Sequence, residues 1–226
     1  MHQIDAPNLM SITIRDGIPR HFVVESFPSL LDADIHYMYT EESVPVDVIP
    51  KFVEKISNVK LLKLSDYVFE KLEMAGVRST SFPTFNNLNT LEVSFIKTQL
   101  VKPLFTFLQF SPNLESLVFR GVYRDKVNED AFTLDVVPHC LLMNLKSIKF
   151  QYFKGQLKEL DLVQLFLQNA RVLQMVIIEI SSDHFLNSNK KKHTAEDVED
   201  FNKKIMEQLL KYKWASTDCV VKLCSF

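Results

Sequence analysis

Apolar positions recur along this chain as a three-point figure: one apolar residue, then two more at offsets of three and five. Written "N-L-x-x-L-x-φ", with φ apolar, it occurs at Leu9/Ile12/Ile14, Val59/Leu62/Leu64, Leu88/Leu91/Val93, Leu114/Leu117/Phe119 and Leu145/Ile148/Phe150. Asn8, Asn58, Asn87, Asn113 and Asn144 stand immediately before these five copies. Two looser copies lack the Asn, Leu30/Ala33/Ile35 and Val172/Met175/Ile177. The seven first positions are separated by 21, 29, 29, 26, 31 and 27 residues. That spacing holds one strand and one short helix or loop. The last two apolar positions of each copy alternate as a strand buried on one face requires.

The intervening segments read as helices. "VDVIPKFVEKIS" places Val48, Phe52, Val53 and Ile56 at helical spacing, and "LVKPLFTFLQFS" does the same with Val101, Leu104, Phe105 and Leu108. Pro50 and Pro103 fall near the helix starts, where a missing N–H costs little. Each unit is then strand, helix, strand, with parallel strands along one sheet. A unit of this kind buries its apolar face only against its neighbours, which explains why the chain repeats itself. The resulting fold class is α/β, a leucine-rich-repeat-like solenoid with a parallel sheet. The first strand has little chain ahead of it, so Leu9, Ile12 and Ile14 are expected to be less covered than inner copies.

From about residue 138 the texture changes. A strand, a turn at Gly155 and a helix over 157–169 lead to a further strand. A last helix carries an apolar stripe of Val198, Phe201, Ile205, Leu209 and Tyr212. Glu199/Lys203, Asp200/Lys204 and Glu207/Lys211 form i, i+4 pairs on its outside. Thr194 and Asp197 have capping-box spacing at its start. The closing run "CVVKLCSF" reads as a strand that completes a parallel β-α-β unit.

Composition is that of a globular protein, with 226 residues, 46% apolar and 24% charged, enough for a sizeable core. A net charge of −2 argues against nucleic acid as the partner. Cys140, Cys219 and Cys224 are too few for a disulfide framework and fit a reducing, intracellular compartment, cytoplasmic or nuclear. No stretch reads as a secretory signal, and the richest apolar run, 172–180, has only strand length, so no membrane partner is expected.

Candidate chemistry is sparse. The chain holds 4 glycines and no G-x-S-x-G, Walker loop or H-E-x-x-H. No two histidines stand at i, i+4, and Cys219 and Cys224 fall on opposite faces of a strand. The expectation is a protein that is not an enzyme, with no cofactor, metal or catalytic residue. "NKKKH" at 189–193 reads as a solvated loop more readily than as a localisation patch.

What remains is the sheet face opposite the core. Its residues are Ser11, Thr13 and Arg15, then Asp32, Asp34 and His36, then Lys63 and Ser65, then Thr90, Glu92 and Ser94, then Ser116, Val118 and Arg120, then Ser147, Lys149 and Gln151. Arg15, Asp34, His36, Lys63, Glu92, Arg120 and Lys149 are the candidate protein-binding residues of this concave row. No aromatic cluster along it marks an anchor.

The stretches "CLLMNLKSIKFQYFKG", "LFLQNARVLQMVI" and "WASTDCVVKLCSF" resemble the FBD domain, and "SFPSLLDADI" and "SPNLESLVFRG" match the repeat style of the same family. The whole chain resembles the C-terminal part of plant F-box/FBD/LRR-repeat proteins. The resemblance implies repeats over 1–137 and an FBD domain over 138–226 that closes the sheet. It also implies recognition of a target protein for an SCF-type E3 ubiquitin ligase, with no nucleic acid or membrane as partner. In that family an N-terminal F-box binds the Skp-type adaptor. These residues contain no F-box-like segment, so adaptor binding is expected only with an upstream F-box. The alternative expectation is a truncated LRR/FBD binding module with no ligase link.

Overall fold

The computed structural model describes residues 2–4, 6–15, 22–24, 27–36, 48–76, 82–123, 133–181 and 195–225. Thr194 and the "NKKKH" run lie outside them. In chain order the elements are β1 (His2–Ile4), β2 (Ser11–Ile14), β3 (Phe22–Val24), β4 (Asp32–Ile35), α1 (Val48–Lys55), β5 (Leu61–Ser65) and α2 (Asp66–Met74). There follow β6 (Thr90–Lys97), α3 (Val101–Gln109), β7 (Ser116–Tyr123), α4 (His139–Met143), β8 (Ser147–Phe153), α5 (Leu157–Asn169), β9 (Met175–Ile180), α6 (Ala195–Leu209) and β10 (Val220–Ser225). A 3₁₀ turn, Thr98–Leu100, leads into α3.

The fold is α/β. Eight strands form one sheet in the order β10-β9-β8-β7-β6-β5-β4-β2, and every pairing in it is parallel. Strands adjacent in space are adjacent in sequence, except that β3 pairs in parallel with β1 as a separate two-stranded ribbon. Neither three-residue strand of that ribbon is visible in the apolar pattern.

Register follows the three-point figure. Ile12, Ala33, Leu62, Leu91, Leu117, Ile148, Val176 and Val221 pair in one line across the sheet. Ile14, Ile35, Leu64, Val93, Phe119, Phe150, Ile178 and Leu223 form a second line. From Ala33 to Val176 and from Ile35 to Ile178 both lines are buried. Phe119 and Phe150, partners in register, stack with centroids 4.9 Å apart. The helices pack on this face through Phe52, Val53, Val68, Phe69, Leu104, Leu108, Leu162 and Phe166. Burying an aliphatic or aromatic side chain of this size contributes about 1.5–3 kcal/mol. Leu9, just before β2, and Ile12 and Ile14 within it are only partly buried, as expected of the strand at the sheet edge.

The seventh copy is shifted by one residue from the expected Val172/Met175/Ile177. Leu173, Val176 and Ile178 are the buried residues, whereas Val172 is exposed and Met175 and Ile177 turn to the opposite face. The pairings Ile148↔Val176 and Phe150↔Ile178 impose this register. The apolar stripe of the last helix also ends early. Ile205 and Leu209 are buried, but Tyr212 lies beyond the helix and is exposed. Trp214 takes over, partly buried, with its Nε1–H donating to the Leu209 carbonyl at 3.0 Å. β10 pairs in parallel with β9, so β9, α6 and β10 form the β-α-β unit read from the sequence.

Two devices fasten successive units to one another. At the strand starts, one carbonyl accepts two successive N–H groups of the next strand. The Glu115 carbonyl takes those of Lys146 and Ser147 at 2.9 and 3.1 Å, and the Lys146 carbonyl takes those of Gln174 and Met175 at 2.8 and 3.1 Å. The motif Asn supplies the second device. Asn113 donates from Nδ2 to the Asn86 carbonyl at 2.8 Å, and Asn144 to the Pro112 carbonyl at 2.9 Å. An amide side chain suits this position because it reaches backbone that has no strand or helix partner there.

Candidate functional site: the open face of the sheet

Alternation along each strand sends every second residue away from the helices. The outward lines carry the polar residues expected from the sequence, and successive strands place their charges side by side. Asp34, Lys63 and Glu92 fall in one register line, as do Ser94, Arg120 and Gln151 in the next. Arg15 follows the end of β2, and its guanidinium lies 3.6 Å from the Asp34 carboxylate. His36 follows β4, half-buried, with its N–H donating to the Ile14 carbonyl at 2.8 Å.

The charges are organised around recessed acids. The Glu92 carboxylate holds Lys63 through one oxygen at 3.7 Å and the Arg120 Nε through the other. Its side chain is 12% exposed, whereas that of Arg120 is 46% exposed. Glu179 repeats the arrangement three strands further on, in β9. It holds Lys149 through one oxygen and accepts from the Gln151 amide at 2.8 Å through the other. Partly buried pairs of this kind orient the cations more than they stabilise the fold.

Five of the seven candidate residues thus meet one another across strands, Arg15 with Asp34 and Lys63 and Arg120 with Glu92, by ion pairs; His36 meets only the β2 backbone at Ile14, and Lys149 pairs with Glu179. Glu179 escaped the sequence reading because the one-residue shift in the seventh copy turned it to the core side. Lys222, which lies in register with Ile177, was missed because the closing strand was not resolved into faces. Ser65 and Ser94 belong to the outward lines by register but are buried.

The open face also has a polar start. Ser147 donates to the Ser116 hydroxyl at 3.1 Å, and Lys146 meets Glu115 at 2.9 Å, lining a shallow groove with Asn89, Thr90, Gln174 and Met175. At the far end, a register shift between Phe150 and Phe153 marks a bulge in β8. There Tyr152 adopts φ 56° and stands 57% exposed, a single aromatic beside Gln151 that the sequence pattern did not mark.

Three groups whose protonation burial shifts, Asp66, Cys140 and Cys219, belong to no outward line of this face. Asp66, at the start of α2, is buried; desolvation raises its carboxyl above the usual range, and the nearby Lys97 ammonium at 3.7 Å opposes that shift. Burial pushes the Cys140 thiol up to about 12 and the Cys219 thiol up to about 11, which keeps both protonated. Among the described residues no three His, Cys, Asp or Glu side chains gather as metal ligands, and no helix is long and apolar enough to cross a membrane.

Residues 135–178 match the FBD family. The chain is 27% identical over 184 residues to an FBD-associated F-box protein of Arabidopsis thaliana, covering 78% of this chain and 39% of the relative. A second FBD-associated F-box protein of Arabidopsis thaliana is 30% identical over 181 residues, with 79% and 37% covered. An F-box/FBD/LRR-repeat protein of the same plant is 26% identical over 198 residues, with 83% and 44% covered. No solved structure gives a significant match. The resemblance to plant F-box/FBD/LRR-repeat proteins is thereby shown, and the chain spans about two fifths of the length of these relatives.

Proposed function

We propose that this chain is a non-enzymatic protein-interaction module, the target-recognition part of an F-box-type substrate receptor for an SCF ubiquitin ligase. In this reading the parallel sheet is an LRR-like solenoid over 1–137 that an FBD segment over 138–226 closes, and the open face is its concave binding surface. One observation carries the reading. One face of the sheet is an unbroken apolar core, while the other presents charged side chains in register on successive strands, held in place by recessed acids. A surface of oriented charges over a rigid sheet favours specific recognition of a partner surface. The similarity to F-box/FBD/LRR-repeat proteins supports the ligase link. The test is a pull-down with a Skp-type adaptor. The chain alone is expected not to retain the adaptor, and the same chain fused behind an F-box is expected to retain it together with a target. Loss of the target from the fused form when Arg120 and Lys149 are reversed to Glu supports the reading. A hydrolytic or transfer activity in the purified chain would overturn it.

A further inference from the structure

The open face is not uniform in charge. From β5 to β10 its paired strand positions carry Lys63, Arg120, Lys149 and Lys222 against Glu92 and Glu179, an excess of two positive charges. Lys97, at the end of β6, is drawn instead to Asp66 and Glu70 of α2. Toward β2 the balance reverses, with Asp32 and Asp34 against Arg15.

The two acids of the basic half lie beneath the cations. Glu92 and Glu179 are 12% and 14% exposed at the side chain, and their oxygens are engaged from within the face. Arg120 meets Glu92 through Nε, and its side chain is 46% exposed. A guanidinium offers several N–H donors in a planar fork that suits a carboxylate. Lys222 is exposed and, among the described residues, makes no ion pair or hydrogen bond.

Register adds spacing. Glu92, Val118, Lys149, Ile177 and Lys222 form one line across β6 to β10, so charged and half-buried aliphatic residues alternate, with cations at β8 and β10. Neighbouring strands are about 4.8 Å apart, which separates Lys149 and Lys222 by about 10 Å. An extended chain advances about 3.3 Å per residue, so three residues span that gap.

We propose that the β7–β10 half of the open face docks an acidic, extended segment of a partner protein. Two carboxylates about three positions apart sit on Lys149 and on Lys222, an apolar residue between them rests on Ile177, and Arg120, one strand beyond Lys149, takes a further acidic group of the same segment. This names the partner chemistry of the surface assigned above and rests on that reading.

The experiment is selection of a random-peptide display library on the full chain. The expected result is enrichment of peptides with two Asp or Glu about three positions apart around an apolar residue. A synthetic peptide of that sequence should lose about tenfold in affinity when Arg120, Lys149 and Lys222 are all replaced by Gln. It should keep its affinity when Lys203, Lys211 and Lys213, which are exposed on and beyond α6, are replaced instead. Lys222→Gln alone, at a side chain with no ion pair to disrupt, should weaken binding measurably and more at low salt than at high salt. Enriched peptides without acidic bias, indifference to Lys222→Gln, or tighter binding of a single-stranded oligonucleotide would each overturn the proposal. If neutral peptides are enriched and Ile177→Asp abolishes their binding, the acidic partner falls while the interaction module stands. If no peptide is enriched, both fall.

Discussion

The Asn144 side chain donates to the Pro112 carbonyl 2.9 Å away, tying the start of one strand-helix unit to the unit before it. Asn113 makes the same bond to Asn86 at 2.8 Å. At these two positions the Asn of the motif is therefore a fastener between units. Asn144→Ala would leave a part-buried carbonyl without this donor, at a cost of about 1–3 kcal/mol. Asn144→Asp should cost at least as much, because two acceptors would then face each other. Asn8, which is exposed on the edge unit, should tolerate Ala within about 0.5 kcal/mol. Urea unfolding of the three variants checks this. Equal midpoints for Asn144→Ala and the parent would deny the Asn its fastening role.

The register of the seventh unit makes a sharper test. Leu173 is 1% exposed, whereas Val172 is 36% exposed. Leu173→Ala should cost about 2–5 kcal/mol, as should Leu117→Ala in the centre of the sheet. Val172→Ala should cost less than about 1 kcal/mol. A reversed order, with Val172→Ala the more damaging, would restore the register first expected from the sequence.

That register was hard to read for a physical reason. The five strict copies have mostly polar residues between their apolar ones, Met10, Leu61 and Val118 excepted, and an Asn at each start, so alternation and the Asn together name the buried face. In "RVLQMVIIEI" Val172, Leu173, Met175, Val176, Ile177 and Ile178 are apolar on both faces, and no Asn marks the start. Alternation cannot choose between two frames there, and the wrong one hides Glu179. The helix over about 157–169 was legible, because Gly155 before it and the apolar spacing within it agree. The cap of that helix was not noticed, although Gln156 and Glu159 stand three apart as in a capping box. The Tyr152 bulge had no signal, since a positive φ at a tyrosine violates the local preference that sequence reading relies on.

Gly155 joins the two ends of the C-terminal region. Its φ is 71°, and a Cβ built there would lie 2.6 Å from Phe201 Cζ and 3.2 Å from Ile205 Cδ1 of α6. Gly155→Ala therefore combines left-handed strain with displacement of a helix, for a total of about 2–4 kcal/mol. Gly76, with φ 61° and open space around it, isolates the strain alone, so Gly76→Ala should cost about 1 kcal/mol. Amide exchange in α6 should accelerate for Gly155→Ala and stay unchanged for Gly76→Ala. Similar exchange in both variants would mean that α6 does not depend on the close approach.

Glu159 sits one turn further on. It is 2% exposed, and its carboxylate accepts the Gln156 N–H at 2.8 Å and the Lys154 N–H at 3.0 and 3.2 Å. Desolvation dominates and pushes its carboxyl up to about 7, against the opposing effect of those N–H groups and of the Lys154 charge. The folded state therefore binds this proton more tightly than the unfolded chain, whose glutamate titrates near 4.5. The sign follows from linkage. Between those two values the folded protein carries more protons than the unfolded one, so stability falls as pH rises. The contribution is complete below about pH 4.5 and gone above about pH 7, and over that window it amounts to about 3 kcal/mol. Glu159→Gln keeps a side-chain acceptor for the helix cap and removes the titration. Its urea midpoint should change less between pH 4.5 and 7 than that of the parent, and the two curves should run parallel above pH 7. Curves that stay parallel through the whole window would show that the N–H groups, and not desolvation, set the protonation of Glu159.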